Sequence, residues 1–119
     1  MRNHNSDNQR IKYDYLEYLR DAQGNSAQTI DSVAAALDRF EASTKQRDFK
    51  KFLRQQAQAF ARRLAEQPSQ RAKGRLSRAT QDQTLTHLKR FFHWLAKQPG
   101  YKRIQATDAD YFQIGRAHV

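Results

Sequence analysis

A chain of 119 residues suits one domain with a modest core, and its 22 Lys and Arg against 12 Asp and Glu leave a formal charge of +10. A small domain that basic repels itself until an anion approaches, so nucleic acid is the first partner class to expect and an anionic membrane surface the next. Cysteine is absent, which excludes disulfides, thiolate metal sites and a Cys nucleophile and fits a cytoplasmic location; no apolar run is long enough to cross a bilayer, and the opening MRNHNSDNQR does not read as a secretion signal.

Residues 1–8 are polar and expected to be disordered. Over residues 8–22 the apolar Ile11, Tyr15, Tyr18, Leu19 and Ala22 fall at helical spacing, and Gly24 is a fitting stop. A second helix is predicted over 29–43, with Ile30, Val33, Ala34, Leu37 and Phe40 on one stripe. A basic link over 44–47 leads to Asp48, the expected N-cap of a third helix over 49–67. That helix carries Phe49, Phe52, Leu53, Ala57, Phe60 and Leu64 on one side, and Pro68 ends it. PSQRAKGR is a polar, basic loop, and Thr80 with Gln83 has the form of a capping box, so a fourth helix is set to begin at Thr80. Pro99 and Gly100 stop it, and a short last helix begins at Thr107 in TDADYF. With no strand signal and no internal repeat, the expected architecture is all-α: four main helices and a short C-terminal one.

The fourth helix has two unlike sides. At about 3.6 residues per turn, Leu85, Leu88, Phe91, Phe92 and Leu95 cover one broad arc, the core face. Thr86, Lys89, Arg90, His93 and Lys97 cover the opposite arc, with His87 and Trp94 on the border. The basic arc reads either as ordinary solvated surface or as an anion-binding face. Three features favour the second. No acid is interleaved after Asp82, so pairing at i,i+4 cannot neutralise the arc. Arg71, Lys73, Arg75 and Arg78 crowd the approach to the helix, Lys102 and Arg103 follow it, and Lys45, Arg47, Lys50, Lys51 and Arg54 cluster at the start of the third helix. Free amides at helix N-termini attract phosphate, and Ser77 and Thr80 add hydroxyls there. Most Phe residues lie on core stripes, so stacking platforms for single strands are not expected. His87 and His93 sit six apart on different faces, which does not make a helical metal pair, and no cofactor is expected.

The segments TIDSVAAALDRFE, DFKKFLRQQAQAFARRL, LSRATQDQTLTHLKRFFHWLAKQPGYKR and DADYF resemble the N-terminal core-binding domain of tyrosine recombinases, the phage-integrase family, over residues 9–112. The third segment follows the LSxAT…TL…LK.FF.WLA.QPGYK.R pattern of one bacterial branch. The resemblance implies a SAM-like bundle that closes over one side of a DNA duplex, with helices against the major groove and neighbouring phosphates, while a separate catalytic domain closes over the other side. Carried onto this chain, it points to the stretch 77–80 and to the basic positions of the third and fourth helices, without saying which read bases. The family's chemistry uses a Tyr nucleophile on a DNA phosphate, supported by Arg, Lys and a His-x-x-Arg box in that C-terminal domain. HLKR, from His87 to Arg90, fits the box by spelling and Tyr111 follows, but the box lies inside the core-binding pattern with Leu88 on the buried stripe, so neither is read as catalytic.

The expected function is therefore duplex-DNA binding by a recombinase module that is not an enzyme by itself, with copies assembling on DNA and no membrane partner. A helical interaction protein whose basic face takes RNA or an acidic protein is the competing reading. Residues 113–119, QIGRAHV, are expected to be a non-native tail: from Ile114 to Val119 they match a translated short-read sequencing adapter that continues into a stop codon. On that reading the chain is a fragment lacking its catalytic domain, and Arg116 and His118 carry no functional weight.

Overall fold

Each main helix opens on a side chain that accepts one of its orphan amides, or on a residue that reaches back to do the same. In the computed structural model, which describes residues 5–66 and 77–113, α1 spans Ser6–Asp21 and begins where the Asn5 side chain accepts the Asn8 amide. Helix α2, Ala27–Ser43, begins where the Ser26 hydroxyl accepts the Thr29 amide. Helix α3 spans Arg54–Glu66 and α4 spans Arg78–Leu95. Two 3-10 segments complete the chain, Phe49–Lys51 before α3 and Ala106–Tyr111 after α4. The elements of the described residues are all helical, with no strand among them, as the sequence predicts.

Four expectations are corrected. The N-terminus is not disordered through residue 8: α1 already runs from Ser6, and Asn8 is fully buried. The third helix is not continuous from Phe49. Phe52 takes an extended backbone (φ −61°, ψ 135°), and the Gln56 side chain accepts the Leu53 amide at 3.2 Å, the N3 half of a capping box that starts α3 afresh. The break turns Leu53 outward, 53% exposed, rather than onto the core side. The cap of α4 is Ser77, whose hydroxyl accepts the Thr80 amide at 3.1 Å, so Thr80 stands inside the first turn and not at its head. The last helix is a 3-10 segment that begins at Ala106.

The core explains why the fourth helix is so apolar on one side. Leu88, Phe91, Phe92 and Leu95 are wholly buried, and Phe92 stacks on Phe52 with ring centroids 3.9 Å apart. Phe112 returns from the second 3-10 segment to stack on both Phe52 and Phe92, so that segment closes the bundle against α3 and α4. On the other flank Tyr15 of α1 meets Phe91 and Trp94 at centroid distances of 5.1 and 4.9 Å. Burial pushes the Tyr15 hydroxyl up to about 12. Gly24 and Gly100 take left-handed backbone (φ +66° and +88°), which is what lets the chain turn sharply after α1 and after α4.

One polar cluster lies inside this apolar frame. The buried Asn8 amide donates to Glu41 Oε2 at 3.1 Å and to the Arg47 carbonyl at 2.9 Å, while its Oδ1 accepts the Phe49 amide at 3.1 Å. Lys12 Nζ, also buried, donates to Glu41 Oε1 and to Asp38 Oδ1. Burial alone would lower the lysine's pKa, but the two carboxylates more than offset this and hold it above its ordinary value. The cluster ties α1 to α2 and both to the loop that precedes α3.

Candidate nucleic-acid interface

Locking one side of α4 into the core fixes what the other side presents. Lys89, Arg90 and Lys97 are exposed, and among the described residues none of them lies within ion-pair distance of a carboxylate. Thr86 is exposed beside them. One other member of the arc, His93, and Arg78 at the head of the helix are occupied. Arg78 Nε meets Asp82 Oδ1 at 3.4 Å one turn on, and His93 Nε2 meets Asp110 Oδ1 at 3.0 Å across the gap to the second 3-10 segment. Lys89 borders an open hollow whose walls include Arg78, Asp82, Thr86 and Phe112, which places it on the same flank as that segment. At the head of α4, Ser77 is exposed and Thr80 half-buried, their hydroxyls 3.0 Å apart and both engaged in the cap.

On the α2 side of the helix, His87 Nε2 lies 3.2 Å from the Ser32 hydroxyl. Burial, and then the neighbouring Arg90 charge, lower the imidazole's pKa, so it stays neutral further into the acid range. Tyr111 Oη accepts from Arg54 Nη1 at 3.2 Å. The pair that spells part of a recombinase active site is thus built into contacts with α2 and α3 respectively.

The second basic cluster is of another kind. Lys45 and Gln46 hold left-handed backbone (φ 57° and 65°) although neither is glycine. Arg47 and Lys51 are exposed without a carboxylate partner among the described residues. The Lys50 ammonium sits 5.5 Å from the centre of the Tyr101 ring. Arg54 pairs with Asp108 at 3.4 Å and lies over the Tyr111 ring at 5.0 Å. Lys102 and Arg103 are exposed on the turn after Gly100. Lys73 and Arg75 lie outside the described residues, as do residues 114–119 of the expected tail.

Sequence reasoning did not anticipate the Asp108 and Asp110 contacts, because they join residues 54 and 93 to a segment that returns from further along the chain. It also missed the buried Asn8, Lys12 and Glu41. A signal was available: Asn8, Lys12, Tyr15 and Leu19, the buried residues of α1, recur at i, i+4, i+7 and i+11, a cleaner helical stripe than the apolar residues alone make.

The family model of the phage integrase N-terminal SAM-like domain matches residues 13–99. No curated protein and no solved structure matches the chain. Among the described residues no helix is long and apolar enough to cross a membrane, and no cluster of His, Asp and Glu could hold a metal ion.

Proposed function

Because the chain belongs to the phage integrase family, through its N-terminal SAM-like domain, we propose that it binds duplex DNA through the exposed arc of α4. The observation that carries this reading is the contrast on that helix: Leu88 is wholly buried, while the adjacent Lys89 and Arg90 are exposed without carboxylate partners among the described residues. Unpaired cations on a rigid helix can meet backbone phosphates without first breaking an ion pair. Ser77, Thr80 and Arg78 at the head of α4, Lys97, Lys102 and Arg103 at its far end, and the cluster formed by Lys45, Arg47, Lys50 and Lys51 extend the phosphate-facing surface. Arg54 and His93 have a second, structural role through Asp108 and Asp110. The module holds DNA, and strand transfer belongs to a separate catalytic domain of the intact recombinase, whose copies assemble on the duplex.

Salt dependence tests the electrostatic part. If about 4–6 phosphates are neutralised, the log–log slope of affinity against salt should be near −4 to −5. A flat response between low and physiological salt would remove the proposal. Binding of RNA or an acidic protein as tight as that of duplex DNA, in the same buffer, would favour the reading of a general helical interaction protein instead.

A further inference from the structure

Between the end of α2 and one flank of α3 lies an open hollow of about 180 Å3, walled by Ser43, Thr44, Arg47, Gln56 and Arg63 over the Phe60 ring. We infer that this hollow is a phosphate seat, with the Arg47 and Arg63 guanidiniums and the Gln56 amide as its donors. No residue of α4 lines it; Arg47 is shared with the proposed DNA-binding surface, whereas Gln56 and Arg63 are not.

Three observations support it. First, the lining contains two arginines and no carboxylate, and among the described residues neither guanidinium is ion-paired. Planar guanidiniums match the oxygens of a phosphate better than any other side chain does. Second, the Gln56 side chain is already oriented. Its Oε1 accepts the Leu53 amide at 3.2 Å, which leaves the NH2 end as the free donor. Third, the Arg47 main chain is held in place. Its carbonyl accepts from buried Asn8 at 2.9 Å, and the two residues before it are both left-handed without being glycine. Backbone held in so sparsely populated a region is found preferentially at sites with a job to do.

The C-terminus of α2 opposes an anion by its dipole, but the carbonyls of Phe40, Glu41 and Ala42 are covered. Amides of Thr44, Lys45 and Gln46 donate to Phe40, Glu41 and Ala42, and the Ser43 and Thr44 hydroxyls donate to Phe40 and Glu41. The N–H donors among the lining side chains are those of Arg47, Gln56 and Arg63. A phosphodiester of nucleic acid and a free phosphate ion offer the same oxygens to these donors.

The test is a titration of the full 15N-labelled chain with inorganic phosphate at constant ionic strength, with chloride as control. The expected result is saturable shifts in the Arg47 and Arg63 Nε–H and Gln56 NH2 signals. Arg63→Gln should weaken phosphate binding roughly tenfold or more, the loss of a charge-assisted hydrogen bond, whereas Arg20→Gln, which removes the same charge from the exposed side of α1, should leave it unchanged. Shifts that do not saturate, that chloride reproduces, or that Arg20→Gln diminishes equally would overturn the seat. A second arm with duplex DNA separates the sources. Duplex that moves the same signals identifies a backbone phosphate as the ligand, and duplex that moves only α4 signals leaves a free phosphate ion as the ligand. The Arg63 and Gln56 signals report on the hollow and not on α4, so loss of DNA binding by α4 would not touch this result.

Discussion

On α4, Lys89, Arg90 and Lys97 stand on a helix whose other side is fixed in the core, and their charges have no local partner among the described residues. Between Lys45 and Arg54 part of the charge is built into the architecture: Lys50 lies over Tyr101 and Arg54 is held by Asp108 and Tyr111, while Arg47 and Lys51 keep charges without a carboxylate partner among the described residues. Both regions look alike as strings of Lys and Arg. They differ in what the neutralising groups are and where those groups come from. A cation that already has a partner must give up part of that interaction before it can take a phosphate, so equal charge does not mean equal readiness to bind.

The sharpest way to break the comparison is to remove the buried anchor of the second region. Glu41 accepts from both Asn8 and Lys12 in the interior. Glu41→Ala leaves a buried ammonium short of its closest partner and should cost about 3–5 kcal/mol in denaturant unfolding. The double variant Lys12→Met/Glu41→Met should recover much of that loss, because two apolar groups of similar size need no pairing. A loss below about 1 kcal/mol for Glu41→Ala would place it in the range of an exposed pair and remove the anchor from the account of the 45–51 loop.

On α4 itself, neighbouring positions should separate cleanly. Leu88→Ala should cost about 2–5 kcal/mol of stability. Lys89→Ala should leave stability within about 0.5 kcal/mol yet weaken duplex binding and reduce the magnitude of the salt slope by about 1. Thermal unfolding and a filter-binding titration on both variants decide the matter, and the reverse pattern would mean that the arc is not the binding face.

How much of this was legible beforehand follows from the range of each interaction. The burial of Leu85, Leu88, Phe92 and Leu95 and the exposure of Lys89, Arg90 and Lys97 came through, because both follow from periodicity within one helix. The break at Phe52 and Leu53 did not, because it rests on one side chain, Gln56, reaching back to an amide in a run that is otherwise good helix. The partners of Arg54 and His93 were hidden for another reason: Asp108 and Asp110 lie 54 and 17 residues away and are brought close only by the return of the last segment. The buried Lys12 was passed over because lysine is rarely interior, and only its place between Asn8 and Tyr15 on the inward stripe signals otherwise.

A smaller effect sharpens the comparison on the second region. Arg54 is half exposed, so its pair with Asp108 is screened by solvent. The pair and the contact with Tyr111 together should contribute about 1 kcal/mol. Arg54→Ala should therefore lower stability by about that amount, unlike Lys89→Ala, and the loss should shrink as salt is raised. Equal stabilities for the two variants would erase the distinction between a structural cation and a free one.

The smallest expected effect is one of pH, and its sign reports on the buried lysine that anchors the second region. Lys12 has its pKa raised in the folded state by Glu41 and Asp38, against the opposing pull of burial. A folded-state pKa above the unfolded value, near 10.4 for lysine, means that the folded chain holds its proton more tightly. The stability that this contributes is complete below the unfolded value and is lost as pH rises through the raised folded one. Tyr15, pushed up to about 12 by burial, adds a loss of the same sign in the same alkaline range. The two are separable by substitution. Removing both partners in Lys12→Met/Glu41→Met should flatten the alkaline fall of stability without abolishing it, since Tyr15 remains. Urea midpoints measured from neutral pH into the alkaline range on the parent chain and the double variant give the answer. An alkaline limb in the double variant as steep as in the parent chain would show that the buried lysine's proton is not coupled to folding.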